Sequence, residues 1–331
     1  MIPGAVGAPV GIELRTRDRL EGAAVIGGRR ILVTGASGKV ALPIARALAA
    51  AGNTVYGAAR FAARGGTSRP GAEAELEAAG IVPVGFDLAT DDVDGLPDAD
   101  LVFHAGAALV TGGEVPPAHA LHVNAEVSGR LVERYAGCEG FVYCSSGSVY
   151  RHRGAEPLDE DGPLGEHLGV YSWSKVAGEA VVRFASGRYR VPATIIRIFS
   201  TYGPLGGAPA DRLARILAGE EVLLHPAAPN NYNPVHEDDY VMLGIRALEV
   251  AALPAITVNW AGSETVSAED YCAYLGALVG IEPRIRYTPE AYYAIWPDVT
   301  RMHRILGHTR VHWRDGMRRM VEVLHPELPL H

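Results

Sequence analysis

The sequence predicts an α/β protein with a doubly wound, Rossmann-type parallel sheet and a smaller, mostly C-terminal substrate lobe. Three observations predict this fold class. Short β-branched runs alternate with helical stretches from Arg29 onward, a glycine-rich turn follows the first of these runs, and the alternation weakens after Phe199. With 331 residues, 48% of them hydrophobic, the chain is long enough for one large α/β unit or two domains.

Seven apolar runs are predicted to form strands. They are Ile31–Thr34, Thr54–Ala58, Ile81–Phe86, Leu101–His104, Gly140–Cys144, Ala193–Phe199 and Ala255–Trp260. Helical stretches lie between them, at Val40–Ala50, Ala118–Tyr135 and Tyr171–Phe184. Because a helix that joins two strands returns the chain to the same end of the sheet, we expect parallel strands with helices on both faces.

The last third of the chain reads as isolated helices joined by Gly- and Pro-rich segments. These helices are Asp211–Ala218, Ser267–Val279, Val299–Leu306 and Arg314–Val323. We therefore predict three parts. They are an N-terminal extension at 1–28, a dinucleotide-binding domain at 29–202 plus 233–262, and a substrate-binding lobe at 203–232 plus 263–331.

The amino-acid composition of the chain argues against some classes of binding partner. The chain has 30 Lys and Arg against 38 Asp and Glu, a net charge of −8, which argues against nucleic acid or an anionic membrane as a partner. Three cysteines are too few for a disulfide framework, and no secretory signal or run of ~18 apolar residues is found. We expect a soluble, cytoplasmic protein that acts on a small molecule and binds no metal.

The first strand leads into a turn that suits a dinucleotide. Gly35 and Gly38 allow the backbone to turn sharply and to approach a pyrophosphate at the N-terminus of the next helix. Ala41 takes the place of the third glycine of the fingerprint. A glycine-rich turn that binds nothing is the alternative.

The end of the second strand indicates which dinucleotide is bound. An acidic residue there would accept hydrogen bonds from a ribose hydroxyl, whereas a basic residue would pair with a 2′-phosphate. The acid is missing, and Arg60 stands beside its place with Arg64 one turn further on. NADP(H) is therefore favoured, and NAD remains possible. An ordinary surface arginine is the alternative for Arg60.

Tyr171 and Lys175 are the strongest candidates for catalysis. They are spaced i, i+4 at the start of a helical stretch and so share a face. An ammonium and an oxidised nicotinamide would stabilise the phenolate of a tyrosine whose reference pKa is ~10. Hydroxyl side chains also follow the fifth strand, in the run from Ser145 to Tyr150, where they would reach the ligand crevice.

These motifs together resemble the extended short-chain dehydrogenase/reductase family, also called the NAD-dependent epimerase/dehydratase family. They are TGASGKVA, FDL, FHAGAA, Asn124, SSGSVY, YSWSK and RIFSTYGP, in the family's order and spacing between about Arg29 and Val323.

The resemblance implies a role for each matching residue. Tyr171 would be the catalytic acid/base, Lys175 would lower its pKa and hold the nicotinamide ribose, and Ser146 would hydrogen-bond the reacting oxygen. The cofactor-binding candidates are Gly35, Ser37, Gly38, Lys39, Val40, Arg60, Asp87, Leu88, Ala105, Gly106, Ala107, Asn124, Tyr171, Lys175 and Ile198.

The resemblance also implies a homodimer formed by the helices Ala118–Tyr135 and Tyr171–Phe184 of each subunit. Apolar residues at helical spacing would be buried between the subunits. They are Leu121, Ala125, Leu131, Val176 and Ala180.

Departures from the family pattern concern the substrate. Relatives that act on nucleotide sugars usually have an Asn where this chain has Ser200, and a diphosphate-binding Arg where it has Tyr232. We therefore expect a substrate other than a nucleotide sugar. The acid pair that eliminates water in sugar dehydratases is replaced by Gly147 and Ser148, so we expect no dehydration.

The resulting hypothesis is an NADPH-favouring oxidoreductase that interconverts a carbonyl and a secondary alcohol on a small organic substrate. A sugar epimerase that keeps its cofactor is an alternative, and so is a non-catalytic NADP(H) sensor.

Several other side chains have both a structural and a functional interpretation. His119 and His122 are interpreted as a surface pair, His104 as a packed residue, and His236 with its neighbouring acids as structural. Tyr292, Tyr293 and Trp296 would line a substrate pocket or form core.

Overall fold

Apolar, β-branched runs form a seven-stranded parallel sheet at the centre of the molecule. The computed structural model describes residues 26–62, 66, 68–109, 115–165 and 167–331. The strands are β1 (Arg30–Thr34), β2 (Thr54–Ala59), β3 (Val82–Gly85), β4 (Leu101–His104), β5 (Gly140–Ser146), β6 (Ala193–Ile198), β7 (Thr201–Gly203), β8 (Gly206–Gly207), β9 (Glu221–Leu224), β10 (Asn231–Tyr232), β11 (Val235–His236), β12 (Ile256–Trp260), β13 (Val266–Ser267) and β14 (Arg284–Tyr287).

The central sheet confirms the predicted doubly wound α/β class. Its strand order is β12-β6-β5-β4-β1-β2-β3, and all seven predicted strands form it, with ends shifted by one or two residues. The order reverses between β1 and β4, where Thr34 pairs with His104. Ligands of such sheets bind at this reversal, outside the carboxyl ends of the strands.

Helices connect the strands and cover the sheet. They are α1 (Ala41–Ala50), α2 (Ala72–Ala78), α3 (Pro117–Leu121), α4 (Val127–Arg134), α5 (Val170–Tyr189), α6 (Ala208–Leu217), α7 (Glu237–Glu249), α8 (Ala268–Val279), α9 (Thr300–Ile305) and α10 (Trp313–Leu324). The prediction of one regular helix over Ala118–Tyr135 is wrong, because a π-helical turn at His122–Glu126 separates α3 from α4. The sequence analysis missed α2 and α7.

Apolar side chains pack on both faces of the sheet. One layer includes Ile44 of α1 and Leu243 of α7, and the other includes Leu131 of α4 and Val182 of α5. A further core joins α6, α8 and α10, with Leu213, Leu275 and Met317 fully buried in it. The three-part domain division stays a prediction.

Some expectations fall on residues outside the described ranges. One is the extension at 1–28, of which only Ile26 to Gly28 are described. The others are the expected absence of a secretory signal and the expectation for Arg64. Among the described residues, no helix is long and apolar enough to cross a membrane.

Candidate active site

The turn after β1 brings its backbone against the loop after β4. Gly35 has a φ of +66°, and a Cβ on it would lie 2.8 Å from the amide nitrogen of Gly106, so a side chain is excluded on both grounds. The amide of Gly38 donates to the carbonyl of Gly35 at 2.8 Å and closes the turn. Thr34 Oγ1 accepts from the amide of Gly106 at 3.1 Å. The turn therefore leads tightly into α1 with its amides at the crevice.

A cleft of about 520 Å³ opens at this edge of the sheet. Nine predicted cofactor-binding residues line it: Gly35, Ser37, Gly38, Arg60, Asp87, Leu88, Ala105, Gly106 and Ala107. Its floor of glycine and alanine, together with an acid and an arginine, fits a dinucleotide. The remaining candidates are not among its lining residues: Lys39, Val40, Asn124, Tyr171, Lys175 and Ile198.

The loop after β2 contributes residues to the cleft that the sequence analysis missed. Ser68 lines the cleft and its hydroxyl lies 2.8 Å from that of Ser37. The amide of Ser68 donates to the carbonyl of Arg60 at 2.8 Å, while the Arg60 side chain is exposed at the rim. An arginine and two hydroxyls thus lie together at one end of the cleft.

Asn124 connects the cleft to α5. This fully buried side chain bonds both backbone groups of Ala108, at 2.8 Å and 3.0 Å, and donates to Ser174 Oγ at 2.9 Å. It lies within the π-helical turn, a distortion that often occurs at functional sites. Asn124 therefore positions the cleft wall relative to Lys175, the residue after Ser174.

The phenol of Tyr171 lies close enough to the Ser146 side chain for Ser146 to act on its pKa. Burial raises the pKa of Tyr171 to about 12, and the neighbouring Ser146 side chain opposes this rise. The Ser146 hydroxyl also donates to Ser148 Oγ at 2.9 Å and accepts from the Ser148 amide at 3.1 Å. Tyr171 is therefore a neutral phenol at pH 7, with a proton to donate.

Lys175 lies under the end of β5. Its Nζ donates to the carbonyl of Cys144 at 2.8 Å and stands 4.9 Å from the centre of the Tyr143 ring. Burial lowers the pKa of Lys175 to about 8, which leaves most of the ammonium charged at neutral pH. The pKa of Tyr171 is thus raised in the structure, whereas the resemblance implies that Lys175 lowers it. This role of Lys175 stays a proposal.

A buried ion pair joins α5, which carries Tyr171 and Lys175, to the central sheet. Glu179, one turn after Lys175, is fully buried and accepts from Arg197 Nε at 2.8 Å and Nη2 at 2.7 Å. It also accepts from Ser145 Oγ at 2.7 Å. These bonds hold the pKa of Glu179 below its usual value despite burial. The pair fixes α5 to β5 and β6, and the sequence analysis missed it.

Comparison with known proteins agrees with this geometry. The model of the NAD dependent epimerase/dehydratase family matches residues 31–259, more than half of the chain. The chain belongs to this family.

Two curated relatives are Streptomyces enzymes named dTDP-4-dehydro-6-deoxy-D-allose reductase. The one from Streptomyces sp is 29% identical over 285 residues, 79% of this chain and 85% of the relative. The one from Streptomyces bikiniensis is 28% identical over 316 residues, 88% of this chain and 94% of the relative.

A solved structure with the same fold is the UDP-glucuronic acid 4-epimerase of Bacillus cereus in complex with UDP-glucuronic acid and NAD. It has a TM-score of 0.76 at 21% identity, and 90% of this chain and 99% of that chain are covered. At this identity the likeness shows the fold alone.

The structure shows where the two departures from the family pattern, Tyr232 and Ser200, lie. Tyr232 stands in β10, and its hydroxyl accepts from Arg212 Nη2 at 3.3 Å. Ser200 follows β6, and its carbonyl accepts from the amide of Val235 at 2.9 Å. The segment with Tyr232 is thus fixed beside the end of β6.

Aromatic rings of the C-terminal third reach the loops around Ser146 and Tyr171. The Tyr293 ring lies 4.2 Å from that of His152 and 3.8 Å from that of His225. Tyr292 lies 5.8 Å from His167, whose pKa burial lowers to about 4. With Tyr292 and Tyr293 65% and 45% exposed, their interpretation as core is wrong.

Three other histidines have structural partners. His104 lies 2.7 Å from Thr34 Oγ1 and 3.0 Å from Ser128 Oγ, and burial lowers its pKa to about 3, which confirms a packed neutral residue. His236 caps α7 by accepting from the Asp238 amide at 3.2 Å. His122 pairs with Glu126. Within the described ranges, no group of three or more potential ligands could hold a metal.

Proposed function

We propose that this protein is an NAD(P)H-dependent reductase of a ketone on a sugar, with NADPH favoured. The observation that carries the proposal is the Ser146–Tyr171 pair, whose phenol is protonated at neutral pH, at the same sheet edge as a cleft that fits a dinucleotide. The reductase names of the two Streptomyces relatives support a sugar ketone as the substrate class. A soluble, cytoplasmic enzyme fits this activity.

Different residues of the cleft would bind different parts of the cofactor. The turn from Gly35 to Val40 would hold the pyrophosphate, Asp87 and Leu88 the adenosine, and the segment from Ala105 to Ala107 would contact the cofactor with its backbone. The nicotinamide, when bound, supplies a hydride to the carbonyl carbon of the substrate.

Side chains of β5 and α5 would complete the reduction. Ser146 donates a hydrogen bond to the carbonyl oxygen of the substrate, and Tyr171 transfers its phenolic proton to the same oxygen. Lys175 keeps a positive charge one helical turn from Tyr171 and is the group that would hold the nicotinamide ribose.

The two alternatives use this geometry differently. An epimerase would use the phenol of Tyr171 twice, to take a proton from an alcohol and to return one to the resulting ketone, and the reductase names of the two Streptomyces relatives favour the reductase over it. A cofactor sensor needs neither the phenol of Tyr171 nor the hydroxyl of Ser146. The presence of both groups therefore supports an enzyme over a sensor.

Consumption of reduced cofactor tests the proposal. The purified protein is incubated with NADPH and a dTDP-linked 4-keto-6-deoxyhexose, and the absorbance of the reduced nicotinamide is followed. We expect one NADPH to be oxidised per ketone reduced. Inversion of a sugar carbon with no net change in cofactor would support the epimerase, and binding without any turnover would support the sensor.

Arg60 is expected to select the phosphorylated cofactor. Arg60→Ala removes a charge-assisted contact worth roughly 1.5–3 kcal/mol, so the Kd for NADPH should rise about 10- to 150-fold while the Kd for NADH barely changes. Calorimetric titration of each cofactor measures this. Arg69→Ala is the matched control, because Arg69 is also exposed but pairs with Glu75. Equal losses for both cofactors would contradict the assignment.

The homodimer is proposed to form through α3, the π-helical turn, α4 and α5. A groove of about 610 Å³ lies between these helices, and beside it Leu121 and Phe184 are 46% and 72% exposed. One of the residues expected there is wrong, because Leu131 is fully buried within the subunit. Ala125 lines the groove, although it is only 5% exposed. Ala180 is exposed and Val176 is half-buried.

Phe184→Asp is expected to give a monomer at micromolar concentration, because a carboxylate cannot be buried unpaired in an apolar interface. Sedimentation velocity measures the change. Val323→Asp, at a 46% exposed position on α10, is the control and should leave the dimer intact. A wild-type protein that sediments as a monomer would refute the proposed assembly.

A further inference from the structure

We propose that Asn259 of β12 is a positioning residue for the reduction, because its side chain holds the turn after Ser146 and the loop before Tyr171 in one fixed arrangement. The proposal rests on the proposed function, which assigns the chemistry to these two side chains. Asn259 is not among the residues that line the cofactor cleft, so it acts through its neighbours.

Asn259 is a polar residue in a buried strand at the edge of the central sheet. Its Oδ1 accepts from the hydroxyl of Tyr150 at 2.6 Å. Its Nδ2 donates to the carbonyl of Leu158 at 2.7 Å and to that of Asp298 at 2.9 Å. A buried amide that uses its oxygen and both of its hydrogens can take only one orientation. Asn259 therefore fixes the three segments that it joins relative to one another.

The bond to Tyr150 holds the turn that sets the Ser146 hydroxyl. Tyr150 ends the short 3-10 turn that begins after Ser146, and its amide donates to the carbonyl of Gly147 at 3.3 Å. Ser148 of this turn bonds the Ser146 side chain through its hydroxyl at 2.9 Å and its amide at 3.1 Å. A Cβ on Gly147 would lie 2.7 Å from the ring of Phe199. The turn is thus confined by Phe199 and anchored at its end by Asn259.

The other bonds hold the loop between this turn and α5. Besides the bond to the carbonyl of Leu158, the backbone amide of Asn259 donates to the carboxylate of Glu160 at 2.8 Å. Further along the loop, the amide of Gly165 donates to the carbonyl of Val149 in the turn at 2.8 Å. Tyr171 follows this loop, in the first turn of α5. Both reacting side chains are therefore attached to segments that Asn259 holds.

Small displacements of these segments should affect the chemical step. A proton donor must lie within ~2.6–3.2 Å of the oxygen that it protonates, and a misplacement of ~1 Å can lower the rate about 100-fold. Ser146 lies close enough to Tyr171 to act on its pKa. A turn released from Asn259 would therefore move Ser146 relative to the phenol and to the carbonyl oxygen that both must reach.

Tyr150→Phe tests the proposal, because it removes one oxygen atom and endangers folding less than a substitution of Asn259. With NADPH and the dTDP-linked 4-keto-6-deoxyhexose, kcat should fall roughly 10- to 100-fold. The Kd for NADPH should stay unchanged, since Tyr150 does not line the cleft.

Tyr135→Phe is the matched control for the loss of a buried hydrogen bond. Tyr135 is 3% exposed, and its hydroxyl donates to the carbonyl of Pro97 at 2.7 Å. Both variants should lose a similar free energy of unfolding, because each loses one hydrogen bond of a buried phenol. Only Tyr150→Phe should lose turnover, which separates positioning from stability.

Carbon-13 NMR gives a readout that does not depend on turnover. The protein is prepared with tyrosine labelled at Cζ, and the resonance of Tyr171 is identified by its loss in Tyr171→Phe. Tyr150→Phe should shift this resonance in the same direction as Ser146→Ala, because both change what Ser146 presents to the phenol. Tyr135→Phe should leave it in place. An unchanged Tyr171 resonance in Tyr150→Phe, or a kcat equal to that of Tyr135→Phe, would overturn the proposal.

A second pair of variants assigns the effect to Asn259 itself. If the Tyr150 hydroxyl acts through Asn259, Tyr150→Phe added to Asn259→Leu should lower kcat by no more than ~3-fold further, because residues in contact are not additive. The Kd for NADPH shows whether these variants are folded. Full multiplication of the two single effects would overturn the role of Asn259.

The failure of each proposal has its own signature. A wild-type protein that reduces the ketone, with neither kcat nor the Tyr171 resonance changed in Tyr150→Phe, would overturn the positioning role alone. A shifted Tyr171 resonance in Tyr150→Phe, with no ketone reduction by the wild type, would overturn the reductase and support the positioning role.

Discussion

Tyr171→Phe is expected to lower turnover by about 10²- to 10⁴-fold while the affinity for NADPH changes little. The substitution removes the phenolic proton that burial keeps on Tyr171, and it leaves the Gly35–Gly38 turn, Arg60 and Lys175 in place. Single-turnover reduction measures the chemical step, and titration measures cofactor binding. Tyr287→Phe, at a 49% exposed phenol on β14, is the control and should keep wild-type turnover.

Substitution of the two neighbours of Tyr171 should give different patterns. Lys175→Ala should lose turnover and cofactor affinity together, because the ammonium is proposed to serve both the phenol and the ribose. Ser146→Ala should lower turnover less, by about one hydrogen bond to the transition state. Near-normal turnover in Tyr171→Phe on its true substrate would mean that another group supplies the proton.

Arg197→Leu is expected to lower the free energy of unfolding by about 3–5 kcal/mol, because it leaves the fully buried Glu179 carboxylate without its main partner. Equilibrium denaturation in urea measures the loss. Arg183→Leu is a matched control, since Arg183 bonds the same Glu179 oxygen at 2.8 Å but is 40% exposed. It should cost no more than ~1 kcal/mol.

A double variant distinguishes how much stability is lost with the charge pairing and how much with the packing contacts of Arg197. Arg197→Leu/Glu179→Leu removes both charges and should recover part of the stability that Arg197→Leu loses, since apolar pairs often replace buried ion pairs at little cost. An Arg197→Leu protein no less stable than Arg183→Leu would contradict the importance given to the buried pair.

The central sheet could be predicted from sequence because its strands are buried on both faces. Runs such as Ile31–Val33 and Leu101–Phe103 are therefore apolar at every position. The π-helical turn could not be predicted, since Asn124 and its partners Ala108 and Ser174 meet only in the folded chain. For α7 a signal did exist in three acids directly after His236, a pattern typical of a helix N-terminus.

The candidate site could be predicted where its chemistry lies in short motifs. Ser146 and Tyr171 are such residues, and the structure brings them close enough for Ser146 to act on the pKa of Tyr171. Arg212 stands alone in a helix whose sequence carries no motif, and its relation to Tyr232 depends on the packing of α6 against β10.

Transfer of deuterium from NADPH deuterated at the transferable 4-position tests the central claim most directly. The protein is incubated with this cofactor and a dTDP-linked keto sugar, and the product is examined by mass spectrometry and NMR. The account predicts one deuterium on the former carbonyl carbon and one oxidised cofactor for each product molecule. A product that carries no deuterium, with the cofactor unchanged at completion, would contradict it.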